Sequence, residues 1–166
     1  MIEHIKLNNL EECQRLFHGR GHGYEGLSHV NVDWLPPVVL ITLYQEVEER
    51  WLNEIAQQLN TLVEECRSVQ VQFRSRKHAP TELLIGEDIT ETQVVESGLK
   101  YNISFGKAQN TGLFLDMKNG RDRLRQVASN KRVLNLFSYT CAFSIAALAG
   151  DATQVVNVDL SKASLS

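Results

Sequence analysis

Asp159 closes the apolar run Gln154-Val155-Val156-Asn157-Val158, and an acid in that place is the clearest chemical signal in the chain. In open α/β sheets ligands bind outside the carboxyl ends of the strands, where a carboxylate can accept hydrogen bonds from both hydroxyls of a ribose. The segment 135–141, Asn135-Leu136-Phe137-Ser138-Tyr139-Thr140-Cys141, follows an earlier apolar run and would face the same ligand. Two other groups could hold anions or bases. In Phe17-His18-Gly19-Arg20-Gly21-His22-Gly23-Tyr24, glycines alternate with side chains suited to stacking and charge, so Arg20, His22 and Tyr24 could meet single-stranded RNA. Arg74, Arg76 and Lys77, in the densest positive cluster, could hold phosphates. Each group also has a plainer reading, as a flexible turn or a solvated loop. A metal site from Cys13, His18 and His22 is not expected, because the glycines deny the histidines a helix and no CxxC or HExxH accompanies them.

The elements that would position Asp159 are legible. Val133-Leu134-Asn135-Leu136-Phe137 reads as a strand buried on both faces, and Ser138-Tyr139-Thr140 breaks it. Residues 142–149 are small and apolar almost all round, which suits a helix pressed against a sheet, and Gly150 ends it. Gln154 to Val158 reads as a second buried strand. Strand, loop, helix, strand and acid make a nucleotide-binding half-unit. A dinucleotide would need G-x-G-x-x-G at the first turn, and no glycine occurs between Asn135 and Ala149. A half-unit that binds nothing is the alternative, since fold does not imply function.

These words, LNLFSYT, an apolar helix and VVNVDLS, together with NTGLFLDMKNGR upstream, resemble class I S-adenosylmethionine-dependent methyltransferases. More narrowly they resemble the bacterial 23S ribosomal RNA cytosine-C5 methyltransferase group, over residues 30–166. The resemblance implies S-adenosyl-L-methionine as cofactor, bound by Phe114, Asp116, Arg121, Asn135, Phe137, Ser138, Tyr139, Thr140, Cys141, Asp159 and Leu160. Asp116 would meet the ammonium and Arg121 the carboxylate of the methionine end, with a helix cap as the plainer role for Asp116. The family loop usually reads Tyr-Thr-Gly-Gly-Phe-Ser, and here Cys141 and Ala142 stand in place of the glycines. A Cβ at either position costs backbone freedom. Catalytic residues are expected beyond Ser166, because the family's DPP-type motif and its cysteine nucleophile have no counterpart here.

Upstream, Asn8 with Leu10, Cys13, Leu16 and Phe17 fits a capped amphipathic helix. Pro36-Pro37 breaks the chain before a strand at Val38-Val39-Leu40-Ile41-Thr42-Leu43, and residues 44–66 carry one apolar face through Trp51, Leu52, Ile55, Leu59 and Val63. Val69-Gln70-Val71-Gln72-Phe73 alternates, predicting a strand with one wet face. Further short strands are expected at 82–87, 93–96 and 99–105, with a turn at Gly98.

The fold class is therefore α/β, with a small α+β domain followed by the N-terminal part of a Rossmann-like methyltransferase domain. The expected division is 1–29 as N-terminal helix and loop, 30–105 as the substrate-side domain, and 106–166 as linker and incomplete Rossmann-like domain. With 166 residues, 43% hydrophobic and 22% charged, the composition is that of a soluble globular protein. No apolar run reaches the roughly 18 residues of a membrane span, and scattered Cys13, Cys66 and Cys141 point to reduced thiols in the cytoplasm. A formal charge of -3 argues against a general polyanion binder, leaving ribosomal RNA to local basic patches. The expected function is methyl transfer to a base of ribosomal RNA by the complete enzyme, the chain alone being inactive. The alternative is a non-catalytic RNA-binding or interaction module. Self-association is expected through the incomplete sheet.

Overall fold

The computed structural model describes residues 1–21 and 23–161, and its contacts divide them into two units. The first comprises Met1–Val95 and Asn102–Thr111; the second comprises Glu96–Tyr101 and the chain from Gly112. No helix among the described residues is long and apolar enough to cross a membrane.

The first unit is a sheet with a helix on one face. Strands β1 (Gln14–His18), β2 (Val30–Leu35), β3 (Val38–Leu43), β4 (Ser68–Phe73) and β5 (Thr81–Gly86) lie side by side in that order, and helix α1 (Glu49–Leu62) joins the parallel pair β3 and β4. Alternation puts Val32, Trp34, Val39, Ile41, Val69 and Val71 on one face. Leu52, Ile55, Ala56 and Leu59 return at helical spacing along α1 and bury against them. Where α1 ends, burial pushes the Cys66 thiol above its ordinary value, and the thiol donates to the Ser68 carbonyl at 3.3 Å.

The structure departs from the sequence pattern at several points. Residues 8–17 do not form a helix: Gln14–His18 is a strand paired with β2, since Leu16 and Phe17 gain more by joining the sheet core than by facing a helix groove. The N-terminal helix expected within 1–29 is reduced to one 3-10 turn, Ile2–His4. Residues 30–35 form a strand of their own, and Pro36-Pro37 makes the two-residue link between β2 and β3, whose register pairs Leu35 with Val38. The expected wet face of β4 is dry. Gln70 donates to the Ile89 carbonyl at 2.7 Å and Gln72 to the Gln109 carbonyl at 3.2 Å, so later chain of the same unit covers both amides. Period-two alternation reports polarity; it does not report what later chain will lie across a face.

Strands β6 (Glu91–Glu96) and β7 (Leu99–Ser104) form a two-stranded hairpin around Ser97-Gly98, both at positive φ as a tight hairpin turn requires. Its tip belongs to the second unit. There, a 3-10 turn (Leu115–Met117) leads into α2 (Lys118–Val127), followed by β8 (Arg132–Leu136), α3 (Ala142–Ala149) and β9 (Gln154–Val158). β8 and β9 are parallel, with Asn135 opposite Asn157 and Leu136 opposite Val158. Gly150 is fixed by approach: a Cβ there would stand 2.1 Å from the Arg125 carbonyl oxygen, so only glycine lets the end of α3 close on α2.

Neither strand of this pair is buried on both faces. Leu134 is 62% exposed, Leu136 55%, Val156 43% and Val158 48%, because α3 covers one side and nothing among the described residues covers the other. Apolar runs of this kind state what a strand needs, and here the need is unmet.

Candidate functional site

The carboxyl ends of β8 and β9 meet one loop. Ser138 N–H donates to the Val158 carbonyl at 3.2 Å, and Cys141 N–H returns to the Ser138 carbonyl at 2.7 Å, which folds the loop tightly over the strand ends. Asp159 locks it. One carboxylate oxygen accepts the Tyr139 N–H at 2.8 Å, and the other accepts the Ser161 N–H at 2.8 Å. These backbone donors, Ser161 first and Tyr139 next, hold the Asp159 carboxyl below the usual carboxylate range. The Leu160 backbone acts in the same direction, and a carboxylate with about four acceptor sites still has room for a further donor.

Phe137, Tyr139 and Cys141 all stand at positive φ, at 56°, 46° and 62°. None is glycine, so the loop carries real backbone cost, of the kind that concentrates at ligand clamps. Of the two positions where glycine was the expected residue, only Cys141 bears it; Ala142 is the first residue of α3 and is helical. Cys141→Gly should remove a left-handed cost of roughly 1–2 kcal/mol while returning roughly 0.4–1 kcal/mol to the unfolded chain. The expected net is a gain of about 0.5–1 kcal/mol, read as a higher urea midpoint at unchanged m. A lower midpoint would show that the Cys141 side chain holds the loop.

Beneath the loop lies a cavity of about 380 Å3, within the usual range for small-ligand sites. Its wall includes Gly112, Phe114, Met117, Arg121, the β8 end from Leu134, the loop through Thr140, and Ala142 and Phe143 of α3. Thr140 Oγ1 donates to the Gly112 carbonyl at 2.5 Å, and the rings of Phe114 and Tyr139 lie 5.5 Å apart. Asn135 donates to Ser144 Oγ at 2.8 Å, and Ser144 in turn donates to Asn157, so Asn135 is fixed by α3 and β9. Ser138 Oγ is buried and has no hydrogen-bond partner among the described residues.

Of the residues read from the sequence, Phe114, Arg121, Asn135, Phe137, Ser138, Tyr139 and Thr140 line this cavity. Asp159 and Cys141 act on its wall through the loop backbone, and Leu160, 95% exposed, follows Asp159. Asp116 lies elsewhere: it is exposed and outside the wall, and the N-cap of α2 is Met117, with no side-chain cap bond. Arg121 is 2% exposed and meets Glu96, itself 2% exposed, in a bidentate pair at 2.7 and 2.7 Å. Sequence reading passed over Glu96, Met117 and Phe143. Glu96 gave no signal, since an acid beside a hairpin turn normally faces water.

The basic residues are mostly engaged within the first unit. Arg76 is held by Glu46 at 2.7 Å and Glu82 at 3.2 Å, and its guanidinium lies over Phe73; Arg20 lies over Tyr44. Tyr24 packs on Phe17 and His4 at 4.9 and 4.6 Å, which occupies a ring expected to meet bases. Arg74 donates to Asn110 at 2.9 Å, Lys77 is exposed, and His22 lies outside the described residues.

The model of the S-adenosylmethionine-dependent methyltransferase family matches residues 14–166. The chain belongs to this family. A ribosomal RNA large subunit methyltransferase I from Aeromonas salmonicida is 35% identical over 147 residues, covering 85% of this chain and 37% of its own length. Its counterpart from Photobacterium profundum is 31% identical with the same coverage. Among solved structures, a protein from Streptococcus mutans described as a SAM-dependent methyltransferase superposes with a TM-score of 0.80 at 30% identity, covering 95% of this chain and 41% of that one, and a structure of SMU.776, described as a methyltransferase in complex with S-adenosylhomocysteine, gives the same score and identity. The tRNA m1G37 methyltransferase of Methanocaldococcus jannaschii, with a TM-score of 0.63 at 23% identity, shares the fold. The chain thus spans about 37% of the length of the curated relatives it matches. The methyltransferase family accounts for the α/β class and for strand, loop, helix, strand and acid in that order.

Proposed function

We propose that this chain carries the adenosine and methionine contacts of an S-adenosylmethionine site, in a protein that transfers the methyl group to a base of ribosomal RNA in the cytoplasm. The observation that carries it is Asp159, whose carboxylate stands at the carboxyl end of β9 with one oxygen bound to the cavity-lining loop and acceptor capacity left for a further donor. The residues fit the group. The unpartnered Ser138 hydroxyl, the aromatic wall and the buried Arg121 offer a hydroxyl, apolar surface and a cation to a ligand that has polar, aromatic and carboxylate parts.

In this reading Asp159 takes the ribose hydroxyls, Asn135 to Cys141 pass under sugar and methionine, Leu160 offers apolar surface to the base, and Phe114 closes the side. Arg121 meets the methionine carboxylate, while Asp116, exposed and outside the cavity wall, is assigned no contact. When bound, the cofactor supplies a methyl group on a sulfonium for attack by a nucleophilic base. The chain's own work is to hold that methyl in line and keep water from it. The ribosomal RNA target rests on the names of the relatives at 31–35% identity. Arg20, His22, Arg74, Arg76 and Lys77 are proposed to contribute contacts to it, the Tyr24 ring being taken up by Phe17 and His4. The division into 1–29, 30–105 and 106–166 is proposed for how substrate and cofactor work are shared, except that the hairpin tip at 96–101 goes with the cofactor side.

Calorimetric titration of the full chain with S-adenosylhomocysteine tests the reading. Saturable binding at one site is the expected result. Absence of binding at millimolar ligand would overturn it.

A further inference from the structure

We infer that Glu96 is a positioning residue for the amino-acid end of the cofactor: it grips Arg121 by one edge so that the guanidinium nitrogen left over, Nη1, meets the ligand's carboxylate. This rests on the cofactor reading proposed above and assigns it a residue that is distant in sequence and outside the motif region.

The hydrogen bonds settle which donors are free. Arg121 Nε donates to one oxygen of Glu96 at 2.7 Å, Nη2 to the other at 2.7 Å, and Nη2 also to the Phe114 carbonyl at 2.9 Å. A guanidinium has five N–H donors, and those three bonds use all of Nε and Nη2. Among the described residues nothing takes the two N–H groups of Nη1, on a side chain that lines the cavity with Phe114 and Phe143, the Phe143 ring centroid lying 5.9 Å from the guanidinium carbon. The anchor itself is held. Glu96 is the last residue of β6, and the next residue, Ser97, is tied to the helix that carries Arg121: its hydroxyl donates to Asp122 at 2.7 Å and accepts from Lys118 at 2.8 Å, and its carbonyl accepts from Arg125 at 2.8 Å. Glu96 and Arg121 are therefore fixed relative to each other before any ligand arrives.

That arrangement has a chemical consequence. A buried ion pair gains little stability over apolar residues of the same volume, so the pair is explained by the donor it presents. Arg121 already shares its charge with Glu96, and the ligand carboxylate is then recognised by direction, from an Nη1 that has no freedom left to lose.

The test compares two ligands on the full chain by calorimetry. S-Adenosylhomocysteine has the carboxylate; 5′-methylthioadenosine has the same nucleoside and thioether without it. In Glu96→Gln, S-adenosylhomocysteine should bind about tenfold more weakly, the scale of one charge-assisted hydrogen bond, while 5′-methylthioadenosine is unchanged. Glu96→Asp keeps the charge and shortens the reach by one methylene, and should show the same selective loss on a smaller scale if Glu96→Gln does not fold. Equal loss for both ligands, or no loss for either in a folded variant, overturns the role of Glu96. A wild-type chain that binds neither ligand overturns the cofactor reading with it, and one that binds both equally overturns the carboxylate contact alone.

Discussion

Replacing Asp159 with alanine is expected to lower affinity for S-adenosylhomocysteine by roughly 10- to 100-fold, the range that lost hydrogen bonds to a charged group supply. The effect has two parts. Ribose hydroxyls lose their acceptor, and the loop loses the anchor that holds Tyr139 N–H at 2.8 Å, so the cavity wall is also less ordered. Asp159→Asn separates these parts because the amide oxygen can still accept one backbone N–H. It should recover part of the loop and little of the ribose affinity. Affinity within twofold of wild type in the alanine variant would remove Asp159 from the site. The pH dependence follows from the same bonds. The folded carboxyl titrates below its ordinary value, held down by the Ser161 and then the Tyr139 N–H. Its contribution is fully present above the unfolded-state value and is lost as pH falls through the folded one. Ligand affinity should therefore stay level from neutral pH through the ordinary carboxylate range and fall only in stronger acid. A midpoint near the ordinary histidine value would assign the titration to another group.

What could be read from the sequence divides along physical lines. The β8-α3-β9 order was legible because each step is local: an apolar run of strand length, a polar break, a small-residue helix and an acid. The cavity loop was legible for the same reason, and so was the place where a glycine is missed, since a left-handed position taxes any Cβ and Cys141 shows it at φ 62°. The errors lie where partners come from far away in the chain. Leu16 and Phe17 have helical spacing on their own, yet the sheet edge at β2 makes them strand. Gln70 and Gln72 have the pattern of solvent contact, yet the carbonyls of Ile89 and Gln109 arrive to take them. Glu96 is the sharpest case: its acid and the base it binds are 25 residues apart, and no periodicity links a hairpin turn to a helix.

Breaking that pair should have the largest effect on stability. Among the described residues, Glu96→Ala leaves the buried Arg121 guanidinium with the Phe114 carbonyl as its hydrogen-bond acceptor and no counter-charge, and an uncompensated buried charge costs about 3–5 kcal/mol. A domain of this size has roughly 5–15 kcal/mol in all, so the variant should unfold at a far lower urea concentration. Changing both residues, Glu96→Leu with Arg121→Met, removes the charge along with its partner and should return the midpoint to near the wild-type value or above it. The two results together distinguish a pair kept for stability from one kept for what it presents. If the double variant is as stable as the wild type, stability does not require the charges. It should then also bind S-adenosylhomocysteine no better than 5′-methylthioadenosine, because the fold survives and the donor aimed at the carboxylate is gone. A double variant that is as unstable as the single one would mean that the pair holds the hairpin tip to α2, and that the cavity only borrows its geometry.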